Sequence, residues 1–111
     1  MPGYYHPEHL AKFGAIAEGN KDLAEKFFDW YGAVFREGAL GEREKALIAL
    51  AVAHAVQCPY CIDAYSKACL EKGADLEQMT EAVHVACAIR GGASLVHGLQ
   101  MREHVHKVAM A

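Results

Sequence analysis

Pro59 interrupts a stretch that otherwise reads as one long helix, from the acids Glu42 and Glu44 through Ala46-Leu47-Ile48-Ala49-Leu50-Ala51-Val52 to Lys72. Inside a helix a proline removes an N–H and its ring collides with the carbonyl four residues back. At the first helical position the missing N–H is no loss and the fixed φ is already helical. The stretch therefore divides into one helix over about 41–57 and another over 58–72, with Cys58 as N-cap and Cys61 in the first turn of the second. Gly73 supplies its stop.

The remaining punctuation falls at Gly3, Gly19-Asn20, Gly38 with Gly41, and Gly91-Gly92, and the segments between are rich in Ala, Leu, Glu and Lys. Helices are expected over 6–17, over 21–37 with Asn20 as N-cap and Gly38 as stop, over 75–90, and over 93–110. Asp75 and Gln78 stand at capping-box positions for the fifth of these six. Leu23, Phe27, Trp30, Tyr31, Val34 and Phe35 recur at three and four, as a core or subunit-contact face does. No window shows the strict alternation of a half-buried strand. With 111 residues and 53% apolar content, the expectation is a single domain, residues 1–111, folded as a compact all-α bundle of about six helices.

A net charge of -3 with acids and bases interspersed offers no basic stripe for nucleic acid and no cationic face for a membrane surface. The longest apolar run, 46–56, contains His54 and falls short of the roughly 20 residues a span requires. Met1-Pro2-Gly3-Tyr4-Tyr5-His6 has neither a basic nor an apolar leader region. A cytoplasmic, reducing location is expected, and it argues against reading the four cysteines as a disulfide framework. Cys69 and Cys87, alone in apolar helical context, are expected to be small buried hydrophobes.

Cys58 and Cys61 are different. A sulfur at a helix start faces unpaired N–H groups and the positive end of the dipole, both of which favour thiolate, the nucleophilic form. A second cysteine one turn on is placed to resolve a sulfenic acid or mixed disulfide. The pair reads as a redox dithiol. A structural zinc site is disfavoured because no second Cys-x-x-Cys or His pair follows at finger spacing. His54 precedes Cys58 by four residues, and on a continuing turn its ring reaches that sulfur as base or as a stabilising cation. Tyr65, four after Cys61, shares its side of the helix and is a candidate hydrogen-bond donor. His6, His9, His104 and His106 are expected to be solvated surface; His84 and His97, core or interface.

The run "REKALIALAVAHAVQCPYCIDAY", followed by "EAVHVACAIRGGASLVHG", resembles the alkylhydroperoxidase D-like (AhpD-like) core of the carboxymuconolactone decarboxylase superfamily. Within it the chain most resembles the small peroxidase-like proteins associated with arsenosugar biosynthesis. The resemblance implies an all-helical homotrimer or homohexamer that reduces a hydroperoxide through the cysteine pair, is regenerated by an external dithiol donor, and uses no metal or organic cofactor. It favours Cys61 as attacking sulfur, because the family's relay histidine follows that cysteine by one turn. The family's relay glutamate and histidine fall at Ala46 and Tyr65, which leaves His54, with Glu42 or Glu44, to replace them. Two other readings are a lactone decarboxylase, as in the superfamily's name, and a module in which His54, Cys58 and Cys61 hold a soft metal or a trivalent arsenical.

Overall fold

The structure is a computed structural model and describes residues 3–110; the leader reading falls partly on Met1 and Pro2, outside them. The elements are α1 (Glu8–Ala11), a 3-10 helix (Phe13–Glu18), α2 (Lys21–Phe35), α3 (Glu42–Ala55), α4 (Pro59–Glu71) and α5 (Leu76–Met110). No strand occurs among the described residues. The architecture is the all-α bundle of six helices that the punctuation implied, with two departures.

The starts follow the sequence. Asn20 caps α2 by accepting the Leu23 N–H at 3.1 Å. Ahead of α5, Asp75 accepts from Gln78 N–H at 2.8 Å while Gln78 Oε1 accepts from Asp75 N–H at 3.1 Å, the reciprocal pair of a capping box. Lys45 reaches from α3 to donate to the carbonyls of Val34 (2.8 Å) and Arg36 (2.6 Å), meeting the negative end of α2.

The departures lie at the two ends. The expected helix over 6–17 is split into α1 and the 3-10 helix. The expected break at Gly91-Gly92 is absent, and α5 runs through the pair as one 35-residue helix. Glycine raises the local cost of a helix by about 1 kcal/mol but does not forbid it, and the pair is flanked by good helix formers.

α3 is the hub, packed against α4 on one side and the first half of α5 on the other. Ala46, Leu50, Cys69 and Ala74 form the buried cluster, with Leu47, Tyr65, Ala68 and Met79 against it. The distal half of α5 projects from this hub, giving a radius of gyration of 19.3 Å against about 13 Å for a close-packed chain of this length.

Candidate functional site: a dithiol at a helix junction

The chain turns from α3 into α4 through a complete Schellman motif. Gln57 sits in the left-handed region at φ 57°; its N–H donates to the His54 carbonyl at 3.2 Å and the Cys58 N–H to the Ala53 carbonyl at 3.0 Å. The residue that ends this motif also begins the next helix. Cys58 is extended (φ −102°, ψ 104°), Pro59 takes the first helical position, and the Cys58 carbonyl accepts the first helical bond, from Ile62 at 2.9 Å. Cys58 Sγ then accepts the Cys61 N–H at 3.2 Å. The N-cap assignment from Pro59 is met in full.

Both sulfurs are half-buried and unbridged. Burial first, then the hydrogen bond to Cys58 and the charge on it, push the Cys61 thiol up to about 11. Burial and its neighbour thus disfavour the Cys61 thiolate, while the Cys58 sulfur accepts the Cys61 backbone N–H. Tyr31 of α2 faces them: burial, then charge on Cys61 and Cys58, raise its hydroxyl above the ordinary tyrosine value. A cavity of about 370 Å³ opens over both cysteines, walled by His9, Phe13, Tyr31, Tyr60 and Tyr65. A second, of about 420 Å³, adjoins it at Cys61, Tyr31 and Tyr65 and is walled by aliphatic side chains of α2 and α3. The walls are carbon-rich in both.

Tyr65 is brought to Cys61 as its spacing suggested, and its ring stacks on Phe35 (5.2 Å, 23° between planes). His54 is not brought to the sulfurs. Its four-residue spacing from Cys58 counts only along a continuous helix, and the left-handed Gln57 ends that continuity. Its Nδ1 donates to the Leu50 carbonyl at 2.8 Å, and its ring lines a different cavity with Cys87, Arg90 and Ser94 of α5. Ala46 and Tyr65, at the family's relay positions, both belong to the central apolar cluster. Glu42 pairs with Lys72 at 2.5 Å and Glu44 with Arg43 at 3.5 Å, so neither is turned to His54. Cys69 is fully buried as expected; Cys87 is exposed instead, at the open edge of the cavity it shares with His54.

His9, read from sequence as solvated surface, lines the dithiol cavity. Its Nδ1 is 2.8 Å from the Tyr60 hydroxyl, across 51 residues of sequence. Neither it nor Tyr31 had a local signal, since both arrive by tertiary packing. Among the described residues no group of three or more His, Cys, Asp or Glu side chains is placed to hold a metal ion.

An all-helical protomer with a cysteine pair presented at a helix N-terminus inside an aromatic cleft defines a small dithiol-bearing helical protein. The chain belongs to the carboxymuconolactone decarboxylase family, whose sequence profile matches residues 21–103. It is 40% identical over 91 residues, 82% of either chain, to uncharacterized protein 4 in the cox locus of Paracoccus denitrificans. Among solved structures it resembles a protein from Methanobacterium thermoautotrophicum (TM-score 0.74, 35% identity, 78% of this chain and 97% of that one). It also resembles a carboxymuconolactone decarboxylase family protein from Legionella pneumophila (TM-score 0.69, 28% identity, 90% and 89%).

Proposed function

We propose that the protein is a thiol-dependent peroxidase and dithiol–disulfide oxidoreductase working through Cys58 and Cys61. The observation that carries this reading is the N-cap sulfur: Cys58 Sγ accepts a backbone N–H at a helix start, with a second thiol one turn away in the same cleft. Cys58 thiolate attacks the distal oxygen of a hydroperoxide; the O–O bond breaks, the alkoxide leaves with a proton as alcohol, and Cys58 becomes a sulfenic acid. That step removes the charge on Cys58 and its demand for the Cys61 proton, two of the three causes that keep Cys61 protonated. Cys61 then ionises more readily and displaces water, closing the disulfide. An external dithiol reduces it, as a reducing cytoplasmic compartment supplies. The order favours Cys58 over Cys61 as first nucleophile.

The carbon-rich walls suit an organic hydroperoxide in preference to hydrogen peroxide. The protomer is proposed to work as a homo-oligomer, the occupant of the bare α5 face being a second copy of this chain.

The test is consumption of cumene hydroperoxide with dithiothreitol as reductant. Cys58→Ser is expected to reduce turnover to the uncatalysed rate, and Cys61→Ser to give one sulfenic acid per chain, trapped by dimedone. Full turnover in the double Cys→Ser variant overturns the reading and points to decarboxylase-type chemistry, which needs no thiol.

A further inference from the structure

The peroxide step needs a proton for the departing alkoxide, and the hydroxyls beside the sulfurs, Tyr31 and Tyr65, are weak acids, Tyr31 made weaker still by burial and by the charge on the cysteines. Ala46 is buried and carries no acid, Tyr65 is stacked on Phe35, and His54 faces α5. The one imidazole on the wall of the dithiol cavity is His9, and it comes from a segment that precedes the family match at residues 21–103.

That segment is held across the first turn of α4 by a set of specific contacts. Tyr5 Oη donates to Asp63, whose other oxygen pairs with Lys67 at 3.1 Å. The Tyr5 ring meets Tyr60 edge-on at 4.7 Å, and the His6 N–H donates to Tyr60 Oη at 3.2 Å. His9 packs edge-on against His6 at 5.0 Å and stacks over Tyr60 at 5.8 Å. Tyr60, the residue between Pro59 and Cys61, thus has its hydroxyl 2.8 Å from His9 Nδ1. The Tyr60 hydroxyl also lies 3.5 Å from the Tyr4 carbonyl as donor; it accepts from an imidazolium, or from a neutral ring with its proton on Nδ1, and donates to a ring bare at Nδ1 at the expense of that weaker bond. His9 Nε2 has no protein partner among the described residues. The charged and titratable groups around this ring are Glu8, which pairs with His6 at 3.7 Å, Asp63 and Lys67 beneath Tyr5, and the two cysteines.

We propose that the segment 4–10 is a strap over the dithiol cavity and that His9, oriented by Tyr60, is the proton donor to the departing oxygen. The proposal rests on the peroxidase reading. As Cys58 thiolate bonds to the distal oxygen, His9 imidazolium gives its Nε2 proton to the alkoxide, which leaves as alcohol. The sulfur loses two electrons and the peroxide gains them. The neutral imidazole regains its proton from solvent, and Tyr60 acts through His9 as a positioning residue.

The experiment compares two rates on the full chain: kcat/KM for cumene hydroperoxide with dithiothreitol, and the rate of Cys58 alkylation by iodoacetamide in a Cys61→Ser background. Alkylation needs the thiolate but no proton donor. His9→Gln is expected to lower kcat/KM about 10²-fold, the usual worth of a general acid, and to leave alkylation within about twofold. Tyr60→Phe is expected to lower kcat/KM by about tenfold, again sparing alkylation. Added imidazole is expected to restore part of the turnover of His9→Gly, a rescue that a structural role does not show. The proposal is overturned if His9→Gln keeps full turnover, or if both rates fall together, which makes His9 a support of the fold or of the thiolate. Full turnover in the Cys58→Ser/Cys61→Ser double variant instead removes the peroxidase reading itself, and the two failures are thereby separated.

Discussion

Gln57 and Cys58 carry the geometry of the site between them. A non-glycine residue in the left-handed region costs about 1–2 kcal/mol, and here that strain lets one tight turn end α3 and hand the next residue to α4 as its cap. Cys58 was legible as a cap because Pro59 admits almost no other helical position. The turn before it was not, since glutamine gives no sign of a left-handed conformation, and His54 was misplaced for that reason. His9 and Tyr31 were out of reach of any spacing argument, because what places them is contact between distant segments. The sulfurs themselves yield a prediction. Cys61 is held up to about 11 by burial and by Cys58, so in the wild-type protein its thiolate grows only as pH rises toward that value. Cys58→Ala removes the hydrogen bond and the charge but not the burial. The midpoint of Cys61 ionisation, followed by ultraviolet thiolate absorbance or by the pH dependence of alkylation, is expected to move down from about 11; an unchanged midpoint assigns the whole effect to burial.

Two glycine positions look alike in sequence and behave oppositely in the elements. Gly73 follows α4 at φ 88°. Its N–H donates to the Leu70 carbonyl at 3.1 Å and the Ala74 N–H to the Cys69 carbonyl at 2.9 Å, a second Schellman motif whose buried Ala74 and Cys69 join the core cluster. Gly92 lies inside α5, and a Cβ added there meets nothing within 4 Å in the protomer. The stop at Gly73 was readable because a helical run ends there and Asp75 opens another. At Gly91-Gly92 the flanking Arg90 and Ala93 favour helix, and Ser94, a residue type that often caps a helix, lies instead inside α5, which runs on unbroken. Opposite signs follow for the same substitution. Gly73→Ala puts a side chain in the left-handed region and is expected to destabilise by about 1–2 kcal/mol. Gly92→Ala replaces the poorest non-proline helix former by the best, and is expected to leave the helix unharmed or to stabilise it by up to about 1 kcal/mol. Urea melts followed by circular dichroism check both, and a Gly73→Ala chain as stable as wild type contradicts the assigned turn.

At the scale of the molecule, the protomer buries little of its apolar content. Leu50 and Cys69 are its largest fully buried side chains, while Leu95 is 81% exposed and Val96, Leu99, Val105 and Val108 each more than half exposed along distal α5. These side chains lie around the helix, and so many exposed apolar residues on a projecting element mark it for association. The same helix gives the protomer its long axis of 59 Å. A sequence reading finds these residues apolar and helical and assigns them to a core, but whether the core lies within one chain or between copies is decided by connectivity, which spacing does not record. No helix among the described residues is long and apolar enough to cross a membrane; the cover proposed for this helix is a protein surface. A second copy supplies one without any further component, since its own α5 carries the same exposed residues. The wild-type chain is therefore expected to sediment as an assembly larger than one 12.1 kDa chain, of three or six copies if it follows the family it resembles. Leu95→Glu with Leu99→Glu sets charges on the face and is expected to yield monomers of reduced thermal stability, because each chain then loses the burial that its neighbour provided. Analytical ultracentrifugation across a concentration series reads the result. A wild-type chain that stays monomeric throughout, or a double variant that assembles like wild type, removes distal α5 as the interface between copies.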